Sequence, residues 1–207
     1  SINGGTVQLL VSTDGGGSFV PLDTPSTISA VNTNKTISVA GGVLEGVAGF
    51  GESDVLQFKA TITDTSGNAT TGTVSDTTLT VDQTAATIST SSIASDNATV
   101  TLAKTGDTVT LTIATNENIT SPTVTFTSGG AAATNADTVS GASPGTSFTS
   151  AYTVDASDTD GTVAISITAT DVAGNTTSGF TTISAGSVTV DQTAPASQKT
   201  QGVVTTG

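Results

Sequence analysis

Val55-Leu56-Gln57-Phe58-Lys59-Ala60-Thr61-Ile62-Thr63-Asp64-Thr65-Ser66-Gly67-Asn68 and Thr162-Val163-Ala164-Ile165-Ser166-Ile167-Thr168-Ala169-Thr170-Asp171-Val172-Ala173-Gly174-Asn175 are two versions of one pattern. In each, larger apolar residues or alanine stand at every other position, from Leu56 to Ile62 and from Val163 to Ala169, and an Asp-x-x-Gly-Asn phrase follows. Alternation of period two predicts a β-strand with one face on a core and the other in water. Leu56, Phe58, Ala60 and Ile62 form the inward set of the first copy; Val163, Ile165, Ile167 and Ala169 form that of the second. One further step of the same parity lands on Asp64 and Asp171, at the strand end on the inward side. The phrase after the strand suits a tight turn, with Asp bonding backbone amides and Gly and Asn accepting positive φ. It equally suits a hard cation, which takes carboxylate and amide oxygens.

A second phrase recurs downstream, Val81-Asp82-Gln83-Thr84-Ala85 and Val190-Asp191-Gln192-Thr193-Ala194. Asp64 and Asp171 are 107 positions apart, Asp82 and Asp191 109. Two ordered phrases at a period of about 108 residues are the mark of a tandem array of units the size of one small β-domain. The expected units are residues 1–83, 84–192 and 193–207, the last being the start of a third repeat with Val203-Val204 as strand residues. Aligning the turn at Gly15 with that at Gly129 shows that the first unit lacks about thirty residues, 84 to 114, that hold two strands of the second. Either the sequence is an excerpt of a longer array, or the missing edge is completed by a neighbouring copy, as in strand-donation filaments.

Other strands are expected from the same reasoning. In the first unit a hairpin runs through Val7, Leu9 and Val11, turns at Asp14-Gly15-Gly16-Gly17, and returns through Phe19 and Leu22 between Pro21 and Pro25. Weaker candidates cover 27–31 and 36–39, a glycine-rich loop covers 41–51, and a last strand covers 77–81. In the second unit the expected strands are 99–102, 108–114, 123–127, 138–139, 148–154, 162–170 and 187–190, with turns at Asn116-Glu117-Asn118 and Gly129-Gly130. About seven short strands in a hundred residues point to an all-β chain of tandem immunoglobulin-like β-sandwich repeats.

Composition supports the class and narrows the chemistry. Aromatic residues make up only 3%, with six Phe, one Tyr and no Trp, so the cores are expected to be thin and built from Val, Ile, Leu and Ala. Fourteen Asp and three Glu oppose four lysines, Lys35, Lys59, Lys104 and Lys199, for a net charge of −13. A surface of this sign repels nucleic acid. The excess of Asp over Glu favours loops and turns; the acidity also keeps a polymer soluble. Cys and His are absent, which removes disulfides, thiolate metal sites and the usual general base. No run of 18 apolar residues predicts a membrane span. Asn-x-Ser/Thr triplets at Asn34, Asn68, Asn97, Asn118 and Asn175 are glycan acceptors by pattern, although several arise by chance in a chain so rich in Ser and Thr.

The phrase Thr-Asp-x-x-Gly-Asn-x-Thr followed by Val-Asp-Gln-Thr-Ala resembles tandem bacterial immunoglobulin-like repeats of giant surface adhesins and biofilm-associated proteins. Gly106-Asp107-Thr108-Val109-Thr110-Leu111-Thr112-Ile113, with Glu117 after it, looks like the second strand and acidic turn of that family. Two departures are Ala86, where the later copy has Pro195, and Asn116-Glu117-Asn118 in place of Ser-Glu-Pro. The resemblance implies an extracellular, cell-surface location and calcium near domain junctions. Asp171, Asn175, Asp191 and Glu117 are expected to converge on one pole of the second unit, and Asp64, Asn68 and Asp82 occupy the matching places of the first. Asp155, Asp158 and Asp160 form a second, weaker candidate loop, with Glu52 and Asp54 as its first-unit analogue.

The functional expectation is a structural stalk or spacer of a surface adhesin or fibre whose partners are neighbouring repeats, with any surface or glycan target elsewhere in the full protein. A glycan-binding module is the alternative, weakened by the lack of Trp and the single Tyr152. An enzyme is not expected, because a Ser or Asp nucleophile lacks an obvious base.

Overall fold

A computed structural model of the chain describes residues 1–30, 33–135 and 138–196. The expected third-unit residues Val203-Val204, and Val31 of the 27–31 candidate, lie outside the described residues. The chain divides into two compact units, Ser1–Thr84 and Ala85–Gly207. Both are almost wholly β, and among the described residues no helix is long and apolar enough to cross a membrane.

The first unit is one antiparallel sheet. Its elements are β1 (Thr6–Ser12), β2 (Val20–Thr27), α1 (Gly41–Glu45), β3 (Val55–Thr63), β4 (Ala69–Thr71) and β5 (Leu79–Thr80). The order is β2-β1-β3-β4, with β5 on the start of β3. β1 and β2 form the expected hairpin, which turns through Gly15 and Gly16 at positive φ. Asp14 holds this turn together by accepting from the Ser12 hydroxyl at 2.6 Å and the Ser18 amide at 2.9 Å. Those bonds, led by the Ser12 and Ser18 hydroxyls, hold its carboxyl far below the usual range.

Three expectations for this unit are corrected. Pro21 and Pro25 lie inside β2 rather than bounding it, which is possible because β2 is the sheet's edge, where a missing N–H need not break a ladder. Residues 36–39 are not a strand. The glycine-rich stretch contains α1, whose Val43 and Leu44, with Val47 and Phe50 of the turns that follow, pack over Val11, Leu22 and Leu56.

The second unit has β6 (Ile88–Ser95), β7 (Leu102–Ala103), β8 (Thr108–Ile119), β9 (Thr123–Ser128), β10 (Ala131–Ala132), β11 (Thr138–Ser140), β12 (Gly145–Thr153), β13 (Gly161–Thr170), β14 (Thr176–Phe180) and β15 (Thr189–Val190). They make two sheets, β10-β9-β13-β15-β7 with β14 on β13, and β11-β12-β8-β6. Val109, Leu111, Ile113 and Tyr152 from one sheet share a core with Val124, Phe126, Val163, Ile165 and Ile167 from the other. Two sheets on one core make a sandwich-like unit.

β6 and β14 escape the sequence reading. The inward residues of β6 are Ser91, Ile93 and Ser95, so its alternation is hidden by serines. Ser91 is satisfied by donating to the Thr182 carbonyl at 2.7 Å and accepting from the Ser184 amide at 3.1 Å. β8 runs straight through Asn116-Glu117-Asn118, where a turn was expected, because β12 continues to pair with it as far as Ile119 across a bulge between Gly145 and Ser147.

Residues 184–186 lie beside β6, with the Ala185 carbonyl accepting from the Ile93 amide at 3.0 Å. Gly186 has φ +79, and a Cβ there would stand 2.2 Å from the Ile93 carbonyl oxygen. Gly186→Ala is therefore expected to cost about 2 kcal/mol or more, roughly 10 °C in Tm for a unit of this size. Fluorescence of Tyr152, the sole tyrosine in a chain without tryptophan, follows this unit specifically, and an unchanged midpoint would refute the packing described.

Candidate metal site and the two ends of the second unit

The Asp-x-x-Gly-Asn phrase builds the same turn twice. In the second unit the Asp171 amide donates to the Asn175 carbonyl at 3.0 Å. Its Oδ1 accepts from the amides of Gly174 at 2.6 Å and Asn175 at 2.9 Å, and its Oδ2 accepts from Asn175 Nδ2 at 2.9 Å. In the first unit the Asp64 amide donates to the Asn68 carbonyl at 2.9 Å. Asp64 Oδ1 accepts from the amides of Ser66 and Asn68, and Oδ2 from Asn68 Nδ2 at 3.0 Å. Both Asn side chains thus spend an amide N–H on the carboxylate of their own turn, and Gly67 and Gly174 supply the positive φ.

Strand parity places the two acids as expected, but with different surroundings. Asp171 is 2% exposed and forms a bridge with Ile119, whereas Asp64 is only partly covered. Burial alone would raise the Asp171 carboxyl. The hydrogen bonds from Asn175, Gly174 and Ala173 outweigh it and leave the group below its ordinary range. The Asn68 side chain and amide do the same for Asp64.

Glu117 reaches Asp171 by the parity of β8. Val109, Leu111, Ile113, Thr115 and Ile119 occupy the inward positions of that strand, and Glu117 falls between the last two. One carboxylate thus comes from each sheet, and their oxygens lie within 4.8 Å of each other. An ion held 2.3–2.6 Å from each of two oxygens spans a gap of up to about 5 Å, so the pair fits calcium by distance and by its hard oxygen donors. This acidic pair can hold a metal ion.

Asp191 does not join them. β15 pairs with the first residues of β13, Val190 opposite Gly161, whereas Asp171 follows the last residue of β13. Ten residues of strand, about 33 Å, separate the two ends. Asp82 stands likewise far from Asp64, because β5 pairs Thr80 with Val55 at the start of β3. Convergence of Asp171 with Asp191, and of Asp64 with Asp82, is therefore corrected: parity sets the face a side chain takes, while the antiparallel return of the last strand sets the end. Asp82 and Asp191 each accept from the amide two residues on, Thr84 at 3.2 Å and Thr193 at 3.0 Å.

The acids of 155–160 share the Asp191 end but do not gather around one point. Asp158 is buried and accepts from the Thr134 amide and hydroxyl, both at 2.8 Å, and from the Asp155 amide at 2.9 Å. Asp155 accepts from the Ser157 amide and hydroxyl. Asp160 accepts from the Gln192 amide at 2.9 Å and the Thr193 hydroxyl at 2.7 Å. The Asp160 carboxylate thus ties the loop before β13 to the segment after β15, and the Asp158 carbonyl adds to it by accepting from Gln192 Nε2 at 2.7 Å. In the first unit Glu52 does this work, accepting from the Gln83 amide at 2.6 Å.

Because Asn175 makes a charge-assisted bond to a buried carboxylate, Asn175→Ala is expected to cost the second unit about 1–3 kcal/mol, read from the Tyr152 transition. A change within a few tenths would show that backbone amides alone hold the turn. Comparison of the chain with protein-family models and with curated proteins finds no match.

Proposed function

We propose that the chain is a load-bearing spacer from a cell-surface adhesin or extracellular fibre, built from immunoglobulin-like repeats, with a calcium ion at the Glu117–Asp171 end of its second unit. One observation carries this reading: the chain enters that unit at one end and leaves at the other. Ala86 and Thr87 are held beside Thr177 and Asn116, at the Asp171 end, while Val190 departs beside Gly161. Opposite entrance and exit let a domain work in series.

The last strand supports the same reading. β15 pairs in parallel with β7, and the Thr189 and Asp191 amides donate to the Thr101 and Ala103 carbonyls at 2.9 and 2.8 Å. Tension along the chain then acts across several ladder bonds at once. The sheet orders β11-β12-β8-β6 and β9-β13-β15 match the D-E-B-A and C-F-G orders of an immunoglobulin-like sandwich. Asp171 is fixed in place by its own turn, its Oδ1 accepting from the amides of Gly174 and Asn175.

Stretching single chains should show one dominant unfolding event of the second unit. Residues Ile88 to Val190 extend to about 340–370 Å at full length, so the gain over a folded span of about 33 Å is roughly 310–340 Å. Release at negligible force would sink the spacer reading.

Calcium at 100 times its Kd is expected to stabilise the second unit by about 2.7 kcal/mol, with chelator reversing the shift and Glu117→Gln abolishing it. A Tyr152 midpoint that ignores calcium would leave the pair without an ion.

A further inference from the structure

Asn-x-Ser/Thr triplets lie in the second unit at Asn97, Asn118 and Asn175, and the fold treats them differently. Asn97 is half-buried; its Nδ2 donates to Asp107 Oδ2 at 2.7 Å, and its Oδ1 accepts from the Thr99 amide at 3.0 Å. Asn175 is also half-buried, with its Nδ2 on Asp171 Oδ2 at 2.9 Å. The hydroxyl of Thr177, the third residue of that triplet, donates to the Ala86 carbonyl at 2.6 Å. Both amide nitrogens therefore face a carboxylate of the protein itself.

Asn118 differs from both. It is exposed, and among the described residues its side chain makes no hydrogen bond. The local backbone explains why. Between the pairs Ala114–Ser147 and Ile119–Gly145, residues 115–118 of β8 stand opposite Thr146 alone. Such a bulge bends the strand and re-aims its side chains. Within it the Thr115 hydroxyl donates to the Glu117 carbonyl at 2.6 Å, and Asn116 Oδ1 accepts from the Thr87 amide at 2.7 Å. Ile119 is fully buried, and its neighbours Asn118 and Thr120 are both exposed, as a period of two requires. The amide and the hydroxyl that make the pattern an acceptor are thus offered to solvent together. The Thr120 hydroxyl donates to the Thr170 carbonyl at 3.1 Å and keeps its lone pairs for a further donor.

We infer that Asn118 is the acceptor of the second unit for an N-linked sugar, transferred to the folded chain from a nucleoside-diphosphate sugar. In this step Nδ2 bonds to the anomeric carbon of the sugar as the bond from that carbon to the phosphate oxygen breaks. The amide gives one proton to a base of the transferase, and the nucleoside diphosphate leaves with the electron pair. Asn97 and Asn175 must first give up a charge-assisted hydrogen bond, which slows them about tenfold or more. The inference does not depend on the spacer reading, since the acceptor belongs to the folded unit whether or not that unit bears load.

The test incubates the whole folded chain with a soluble transferase that moves a hexose from a uridine-diphosphate sugar to Asn-x-Ser/Thr. The time course at each triplet is read by peptide mapping and mass spectrometry. Hexose is expected on Asn118 about tenfold or more faster than on Asn97 or Asn175. Synthetic peptides of the three triplets, freed of the fold, should react at similar rates. Thr120→Ala should remove the label from Asn118, and Asn118→Gln should remove it with the Tyr152 transition unchanged. A folded chain without hexose at Asn118 overturns the inference, as does equal labelling of Asn97 or Asn175. Peptides that show the same bias as the chain also overturn it, because the preference would then lie in local sequence rather than in the fold.

Discussion

A β-sheet made of alternating Val, Ile, Leu and Thr has one face that must be kept from water, and how that face is covered decides everything else here. In the second unit the cover is another sheet with the same alternation. Val109, Leu111 and Ile113 meet Val124, Phe126, Ile165 and Ile167, and the core closes with one tyrosine and few other rings. In the first unit the cover is a single turn of helix and its flanks, reaching only as far as Val11 and Leu56. A core this thin leaves little room for error. Serines stand at several inward positions, and Ser91 and Ser128 are tolerated because each donates to a carbonyl within reach.

The same demand for covering explains the acidic end of the second unit. A carboxylate carried inward by strand parity must be satisfied or paid for by its surroundings. Asp171 is satisfied by its own turn, through the amides of Ala173, Gly174 and Asn175 and the Asn175 side chain, and Glu117 arrives by the parity of a strand in the other sheet. Asp64 has the same turn, and among the described residues it joins no such acidic group. The difference between the two copies is therefore not in the phrase itself but in what the rest of each unit brings to it.

Much of this was legible in the residues. The strand preceding each turn, the inward placement of Asp64 and Asp171, the Gly15 and Gly129 turns and the all-β class follow from alternation and from where positive φ is needed. What escaped did so for identifiable reasons. β6 hides its period behind Ser91 and Ser95, and the burial of Ser91 depends on the Thr182 carbonyl, 91 positions away in the chain. The helix at Gly41 is a single turn masked by glycines that lower its propensity. The extension of β8 through Glu117 depends on β12, a partner no local reading can supply. The separation of Asp191 from Asp171 required knowing which end of β13 the last strand returns to.

The edge strand of the first unit has a consequence of its own. Among the described residues β2 has a neighbour on one side only, and it contains Pro21 and Pro25, two residues without an amide hydrogen. Two residues of that strand cannot donate, which makes it a poorer template for indefinite sheet growth. In a chain crowded with Thr and Val, whose segments would otherwise zip together edge to edge, this safeguards solubility by geometry as well as by charge.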